Sequence, residues 1–251
     1  MRIAWAERGN GHPLLLIQGL GYARWSWEPI VPALAEQYRV LFFDNRGIGD
    51  SDKPEGPYTA GQMAEDALQV LDEAGIGQAH VLGASLGGMI AQELAVLAPE
   101  RVAKLVLCCT HPGVRHGLPM PEQTVRLFQA AATLAPDDAL RRFVENALGD
   151  DPPAGVADEL YRRRLENPLD PAGWQAQAAA GTTFLGVDGP IEHETLIVTG
   201  TADNVVDPRN SDVLAEQIPG ARVEKLAGLG HLFFWEDAPG FVRIVREFLD
   251  G

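Results

Sequence analysis

The chain has 251 residues, 46% of them hydrophobic, enough for one large core with room for an inserted lobe. Its 20 Lys and Arg stand against 35 Asp and Glu, a formal charge of −15, so nucleic acid is a poor partner, because phosphate binding needs clustered cations. The opening Met1-Arg2-Ile3-Ala4-Trp5-Ala6-Glu7-Arg8 lacks the apolar stretch of a secretory signal, and no apolar run approaches the roughly 20 residues of a membrane span; a cytoplasmic protein without membrane attachment is expected.

Strand and helix patterns alternate along the chain, the rhythm of a mostly parallel α/β sheet flanked by helices. Residues 3–8 read as a strand that turns at Gly9-Asn10-Gly11 into a second, Leu14-Leu15-Leu16-Ile17. A helix is expected over 27–37 and a buried strand at Val40-Leu41-Phe42-Phe43. Residues 60–74 read as a helix with Met63, Ala67, Val70 and Leu71 on one face. Val81-Leu82 is a strand, 86–97 a helix stopped by Pro99, and Leu105-Val106-Leu107 the next strand. Cys108 and Cys109 continue that strand. Neighbouring strand side chains point to opposite faces, so two buried thiols are expected rather than a disulfide framework.

From about residue 111 to 190 the strand signals stop. Helical patterns cover 121–134, the segment opened by Pro136-Asp137-Asp138 with Leu140, Phe143, Val144 and Leu148 at core spacing, the segment around Val156, Leu160 and Leu165, and 172–180. This stretch is expected to be a helical cap over 113–189, inserted into a core built from 1–112 and 190–251. Strands resume at Leu196-Ile197-Val198 and over 222–226. The last helix, 241–249, turns Phe241, Ile244, Val245 and Phe248 inward.

Chemistry concentrates at Gly83-Ala84-Ser85-Leu86-Gly87. A strand that turns so sharply into a helix leaves no space for side chains two before and two after the serine, and glycine stands at both places. The turn lifts the Ser85 hydroxyl above the sheet. The Leu86 N–H opens the helix beside it, where partial positive charge favours an oxyanion. A serine hydroxyl needs a base to become a nucleophile. Loops that follow parallel strands gather at one edge of the sheet. His231, after the last strand, lies on that edge; His111, which also follows a strand, is the second candidate. Asp203, in Thr199-Gly200-Thr201-Ala202-Asp203 at the end of a strand, is the candidate carboxylate to orient the base. Asp207, followed by Pro208, reads as a helix cap. Gln18-Gly19-Leu20-Gly21 follows a buried strand, and the Leu20 N–H is expected to pair with that of Leu86.

These features, with the turn Asp44-Asn45-Arg46-Gly47-Ile48-Gly49-Asp50-Ser51-Asp52 and the pairs Gly200-Thr201-Ala202-Asp203 and Gly230-His231, resemble the α/β-hydrolase superfamily in order and along the whole chain. The resemblance is strongest to small carboxylesterases, 3-oxoadipate enol-lactonases and cofactor-free haloperoxidases. Trp27 matches a tryptophan usual after the oxyanion glycines. Gln18 stands where the family most often has histidine, and the N-terminus looks short by one strand. Haloalkane dehalogenases and epoxide hydrolases are similar too, but place aspartate at the position of Ser85.

The resemblance implies an α/β-hydrolase fold and a serine hydrolase for small carboxylic esters or lactones. Ser85, His231 and Asp203 would form the triad, the Leu20 and Leu86 N–H groups the oxyanion hole, and no metal or cofactor would be needed. Hydrolysis of a carbon–carbon bond, peracid formation, and a ligand receptor on the same fold remain open readings. Trp27 and Trp235 are expected to touch substrate, with Trp25, Trp174, Phe184, Phe233 and Phe234 as further candidates for an apolar acyl pocket. The runs Arg141-Arg142 and Arg162-Arg163-Arg164 read as solvated helix faces, with attraction of an anionic substrate as the alternative.

Overall fold

Seven strands form one sheet in the computed structural model, which describes residues 1–131 and 133–251. They are β1 (Trp5–Arg8), β2 (His12–Ile17), β3 (Tyr38–Phe43), β4 (Ala79–Ala84), β5 (Val102–Cys108), β6 (Thr195–Gly200) and β7 (Arg222–Leu226). Their order across the sheet is β1-β3-β2-β4-β5-β6-β7. β1 runs antiparallel to β3 at one edge, and the other pairs are parallel. The helices are α1 (Val31–Leu34), α2 (Ala60–Glu73), α3 (Leu86–Leu97), α4 (Glu122–Ala131), α5 (Pro136–Asn146), α6 (Val156–Glu166), α7 (Pro171–Thr183), α8 (Asn210–Gln217), α9 (Phe233–Glu236) and α10 (Ala238–Asp250).

Alternation along the central strands sends apolar side chains to both faces, as a parallel sheet covered on two sides requires. Leu15, Ile17, Val81, Leu105 and Leu107 pack with Met63, Ala67, Val70 and Leu71 of α2 and with Ile90 and Leu94 of α3. Leu14, Leu16, Leu82, Val106 and Val198 pack on the other face with Leu34 of α1 and with Phe241, Val245 and Leu249 of α10. α2 starts at a capping box, in which Thr59 accepts from the Gln62 N–H and Gln62 returns the bond to the Thr59 N–H.

The helix expected over 27–37 is broken into a 3-10 turn, Arg24–Trp27, and α1. Pro29 has no N–H with which to continue the first turn, and Pro32 begins the second. Of the helix expected over 121–134, α4 covers Glu122–Ala131, and residue 132 lies outside the described residues. Cys108 ends β5, but Cys109 lies beyond the strand with φ +42°, so strand alternation does not govern it. Both thiols are buried and free. Among the described residues no helix is long and apolar enough to cross a membrane.

Register sets the site. Ile17 pairs with Gly83, Ala84 with Cys108, and Cys108 with Val198, so β2, β4, β5 and β6 end side by side. Ser85 turns the chain from β4 into α3 with φ +56°. A Cβ on Gly83 would lie 2.2 Å from the Gly87 carbonyl oxygen, and one on Gly87 would lie 2.0 Å from that of Ile17. Both obstacles are backbone of central strands or of the turn itself. Gly87→Ala is therefore expected to cost more than about 3 kcal/mol or to prevent folding altogether, measured by urea unfolding against wild type.

Candidate active site

The backbone around Ser85 is held on all sides. Its N–H donates to the Cys108 carbonyl at 2.8 Å, and its carbonyl accepts from the Gly88 N–H at 2.9 Å and from Thr110 Oγ1 at 2.7 Å. The Leu86 N–H at the start of α3 has no acceptor among the described residues. The same is true of the Leu20 N–H on the loop after β2, although its neighbours are all engaged. The Gly19 N–H donates to Gln18 Oε1 at 2.8 Å, and the Gly21 N–H to Gln177 Oε1 at 3.0 Å. Gln18 Nε2 in turn donates to Ser26 Oγ at 2.5 Å, so glutamine braces this loop. The loop reaches Ser85: a Cβ on Gly19 would lie 2.9 Å from the Ser85 Cβ.

Asp203 sits three residues past β6, and its side chain is fully buried. Its Oδ1 accepts the N–H groups of Val205 at 2.7 Å and Val206 at 2.9 Å. Its Oδ2 lies 2.7 Å from Nδ1 of His231. That bond assigns the imidazole proton to Nδ1 and leaves Nε2 as the nitrogen that can take another. Burial lowers the His231 pKa, but the Asp203 charge and hydrogen bond, with Cys109 alongside, outweigh it and hold the imidazole well above its ordinary value of 6.5. Ser85 and His231 border one cavity, with no hydrogen bond between them among the described residues. Such bonds often tighten only when substrate is bound.

His111 borders the same cavity, but its Nδ1 accepts the Gly113 N–H at 2.9 Å, and burial lowers its pKa. Asp207 borders the cavity as well, but it bonds to neither histidine among the described residues. Its carboxylate takes the Arg209 N–H at 3.0 Å and Nε at 2.9 Å, and the Arg209 side-chain bond lowers its pKa. It fixes the turn just ahead of α8.

The cavity measures about 1,100 Å³ and runs from the sheet edge up among α4, α5 and α7. Its wall includes Met89, Phe128, Leu140, Phe143, Trp174 and Phe234. Trp27 and Trp235 are not part of that wall, which corrects the expectation that they touch substrate. Trp27 is fully buried against Phe234, ring centroids 5.2 Å apart. Trp235 gives its indole N–H to the Ser26 carbonyl at 3.0 Å and packs edge-on against Trp25. Both lie behind the site and support its loops.

The arginine runs divide residue by residue. Arg162 is solvated among Glu159 and Glu166, and Arg141 pairs with Asp158. Arg163 pairs with Glu28 beneath Trp25. Arg164 alone borders the cavity, donating to the Gly21 carbonyl with its guanidinium 4.6 Å from the Tyr22 ring centre. Tyr22, Cys109 and Gln177 were not among the expected site residues. The sequence signal for Gln177 is an amide in a run of small residues, and the structure buries it fully on α7. Among the described residues no three His, Cys, Asp or Glu side chains converge as a metal site.

A family model for the alpha/beta hydrolase fold matches residues 12–238 of the chain. A Mycobacterium tuberculosis protein with the provisional name non-heme bromoperoxidase BpoC is 33% identical over 245 residues, covering 94% of this chain and 93% of that one. A 2-hydroxymuconate semialdehyde hydrolase of Pseudomonas putida is 32% identical over 262 aligned positions, covering 97% and 89%. The crystal structure of an enol-lactonase from Burkholderia xenovorans superposes with a TM-score of 0.84 at 27% identity, covering 99% and 96%.

The position of Trp27 makes a test of the correction. Trp27→Ala is expected to destabilise the fold by about 3–5 kcal/mol, the usual cost of emptying a buried aromatic site. Urea unfolding monitored by circular dichroism measures it; a loss under about 1 kcal/mol would return Trp27 to the cavity wall.

Proposed function

The chain belongs to the α/β-hydrolase fold family, and on that footing we propose that it is a serine hydrolase cleaving small carboxylic esters or lactones. The observation that carries the proposal is the 2.7 Å contact from Asp203 Oδ2 to His231 Nδ1, at a cavity that also holds Ser85. The two unspent N–H groups of Leu20 and Leu86 add to it.

Ser85 Oγ attacks the ester carbonyl while His231 Nε2 takes its proton. Asp203 keeps its charge and stabilises the imidazolium that forms. The Leu20 and Leu86 N–H groups receive the developing oxyanion; such groups are worth most when aimed in advance in a dry site. His231 then protonates the departing alkoxide. In the second half-reaction it activates a water that releases the acid and frees Ser85. Every step uses side chains and backbone of this chain, with the scissile carbonyl as the only electrophile. The apolar wall of Phe128, Leu140 and Phe143 suits the acyl portion, and residues 113–189 act as the cap that supplies it.

The same groups would serve hydrolysis of a carbon–carbon bond in a vinylogous diketone, a reading favoured by the relative named as a 2-hydroxymuconate semialdehyde hydrolase. A panel of p-nitrophenyl esters, lactones and dienone acids separates the two by kcat/KM. Multiple turnovers on any ester argue against a receptor.

A fluorophosphonate is expected to label Ser85, located by peptide mass spectrometry. Attack needs a neutral imidazole, and the His231 pKa lies above its ordinary value, so labelling slows as pH falls. The midpoint is expected above the about 6.5 of a free histidine. A rate independent of pH from 5 to 8, roughly the range in which histidine titrates, would remove His231 as base.

Asp203→Asn is expected to lower kcat by up to about 10⁴, because asparagine holds the wrong imidazole tautomer. Asp207→Asn is expected to stay within about tenfold of wild type. The measurement is kcat on one ester for both variants. The reverse outcome would assign the acid to Asp207.

A further inference from the structure

Glu236 ends α9 and is only 7% exposed. Its two carboxylate oxygens each take one backbone N–H. Oε1 accepts from Gly230, the residue before His231, at 2.8 Å. Oε2 accepts from Gly149, three residues past the end of α5, at 2.8 Å. Two backbone bonds run alongside: Leu232 N–H to the Ala147 carbonyl at 3.0 Å, and Asp150 N–H to the Gly228 carbonyl at 3.1 Å. The segment 228–232 that carries the imidazole is thus laced to 147–150 on both flanks of His231. The two segments touch because neither has a side chain at the crossing. A Cβ on Gly230 would lie 2.3 Å from the Leu148 carbonyl carbon, and one on Gly149 would lie 2.1 Å from the Gly228 oxygen.

A buried carboxylate is costly unless its oxygens are hydrogen-bonded. Here acceptors and donors match one to one, and the hydrolytic mechanism above leaves the group without a part. We infer that Glu236 is a positioning residue: it clamps the loop of His231 to the end of α5 and so fixes where the imidazole stands relative to Ser85. The inference rests on the reading of His231 as the base. Charge and length both matter to the clamp. A glutamine offers one oxygen and one NH₂, so one backbone N–H would face another donor. An aspartate keeps two acceptors but is one methylene short of spanning both strands of the crossing.

Fluorophosphonate labelling of Ser85 tests the clamp on the intact chain, because the reagent calls on the base and asks little of the cavity. In Glu236→Gln the labelling rate is expected to fall about 10- to 100-fold, the scale of a sub-ångström to ångström misplacement. On p-nitrophenyl acetate the loss is expected in kcat, with KM within about twofold of wild type. Glu236→Asp is expected between the two. A purely structural role would instead lower Tm and leave the labelling rate of the folded protein unchanged. Wild-type labelling in folded Glu236→Gln, or a loss confined to KM, overturns the clamp and leaves the base assignment standing. If Glu236→Gln does not fold, Glu236→Asp decides by the same readings. If wild-type Ser85 itself resists the reagent, the base assignment and the clamp fall together.

Discussion

The turn at Ser85 passes so close to the end of β2 that a single added carbon on Gly87 would lie 2.0 Å from the Ile17 carbonyl oxygen. That closeness is what puts the loop after β2 against the serine, and the loop brings Gln18, Gly19 and Leu20 with it. It also explains why the amide donors there are left over. The turn after β4 and the turn after β2 both leave a sheet whose ladder hydrogen bonds have ended, and they face each other across a gap too narrow for side chains. Two N–H groups, of Leu20 and Leu86, remain without acceptors among the described residues. Donors left without acceptors are costly to maintain, and both residues border the cavity in which the proposed chemistry would develop negative charge.

The helical stretch between β5 and β6 does more than roof the cavity. Gln177 of α7 holds the Gly21 N–H with one end and the Arg46 carbonyl with the other. Gly149, beyond α5, shares Glu236 with the loop of His231. The donor loop and the proposed base are therefore each tied to a different helix of the same insert. Side chains of those helices, Phe143 of α5 and Trp174 of α7, also border the cavity. An occupant pressing on the wall presses on the elements that set the polar groups.

The sheet, its helices and the meeting of Asp203 with His231 were legible in the sequence for a shared reason. Each rests on a constraint that only one residue type or one chain position satisfies: glycine beside the turn at Ser85, a carboxylate after β6, a histidine after β7. What was misread depends on packing from elsewhere in the chain. Trp27 looked like a cavity residue because it follows the glycine loop, but Phe234, far along the chain, covers it. Of the apolar stripe expected to face the core, Val144 and Leu148 do lie in it, while Leu140 and Phe143 border the cavity, and periodicity cannot tell a core face from a cavity wall. Arg162, Arg163 and Arg164 looked alike, yet successive residues on a helix point about 100° apart, and they end in solvent, against Glu28, and at the cavity. The helix expected over 27–37 is interrupted because Pro29 and Pro32 lack the N–H groups that would continue it.

β5 and β6 are adjacent, with Cys108 opposite Val198. The two strands are parallel, so the long helical stretch departs from the end of β5 and the chain returns at the start of β6, where Thr195 pairs with Leu105, three residues back along β5. No strand pairing depends on what lies between. Closing a longer or shorter loop over the same gap changes the entropic cost by only about 0.6 kcal/mol per doubling of length. Natural variation can lengthen, shorten or replace this segment without disturbing the sheet edge where the polar groups stand. What such a replacement must carry over is the set of bonds to the two loops: an acceptor for the Gly21 N–H, a donor for the Arg46 carbonyl, and the bonds that lace 147–150 to Glu236 and the loop of His231. Grafts that reproduce those contacts form a far smaller design space than grafts that copy a whole lobe.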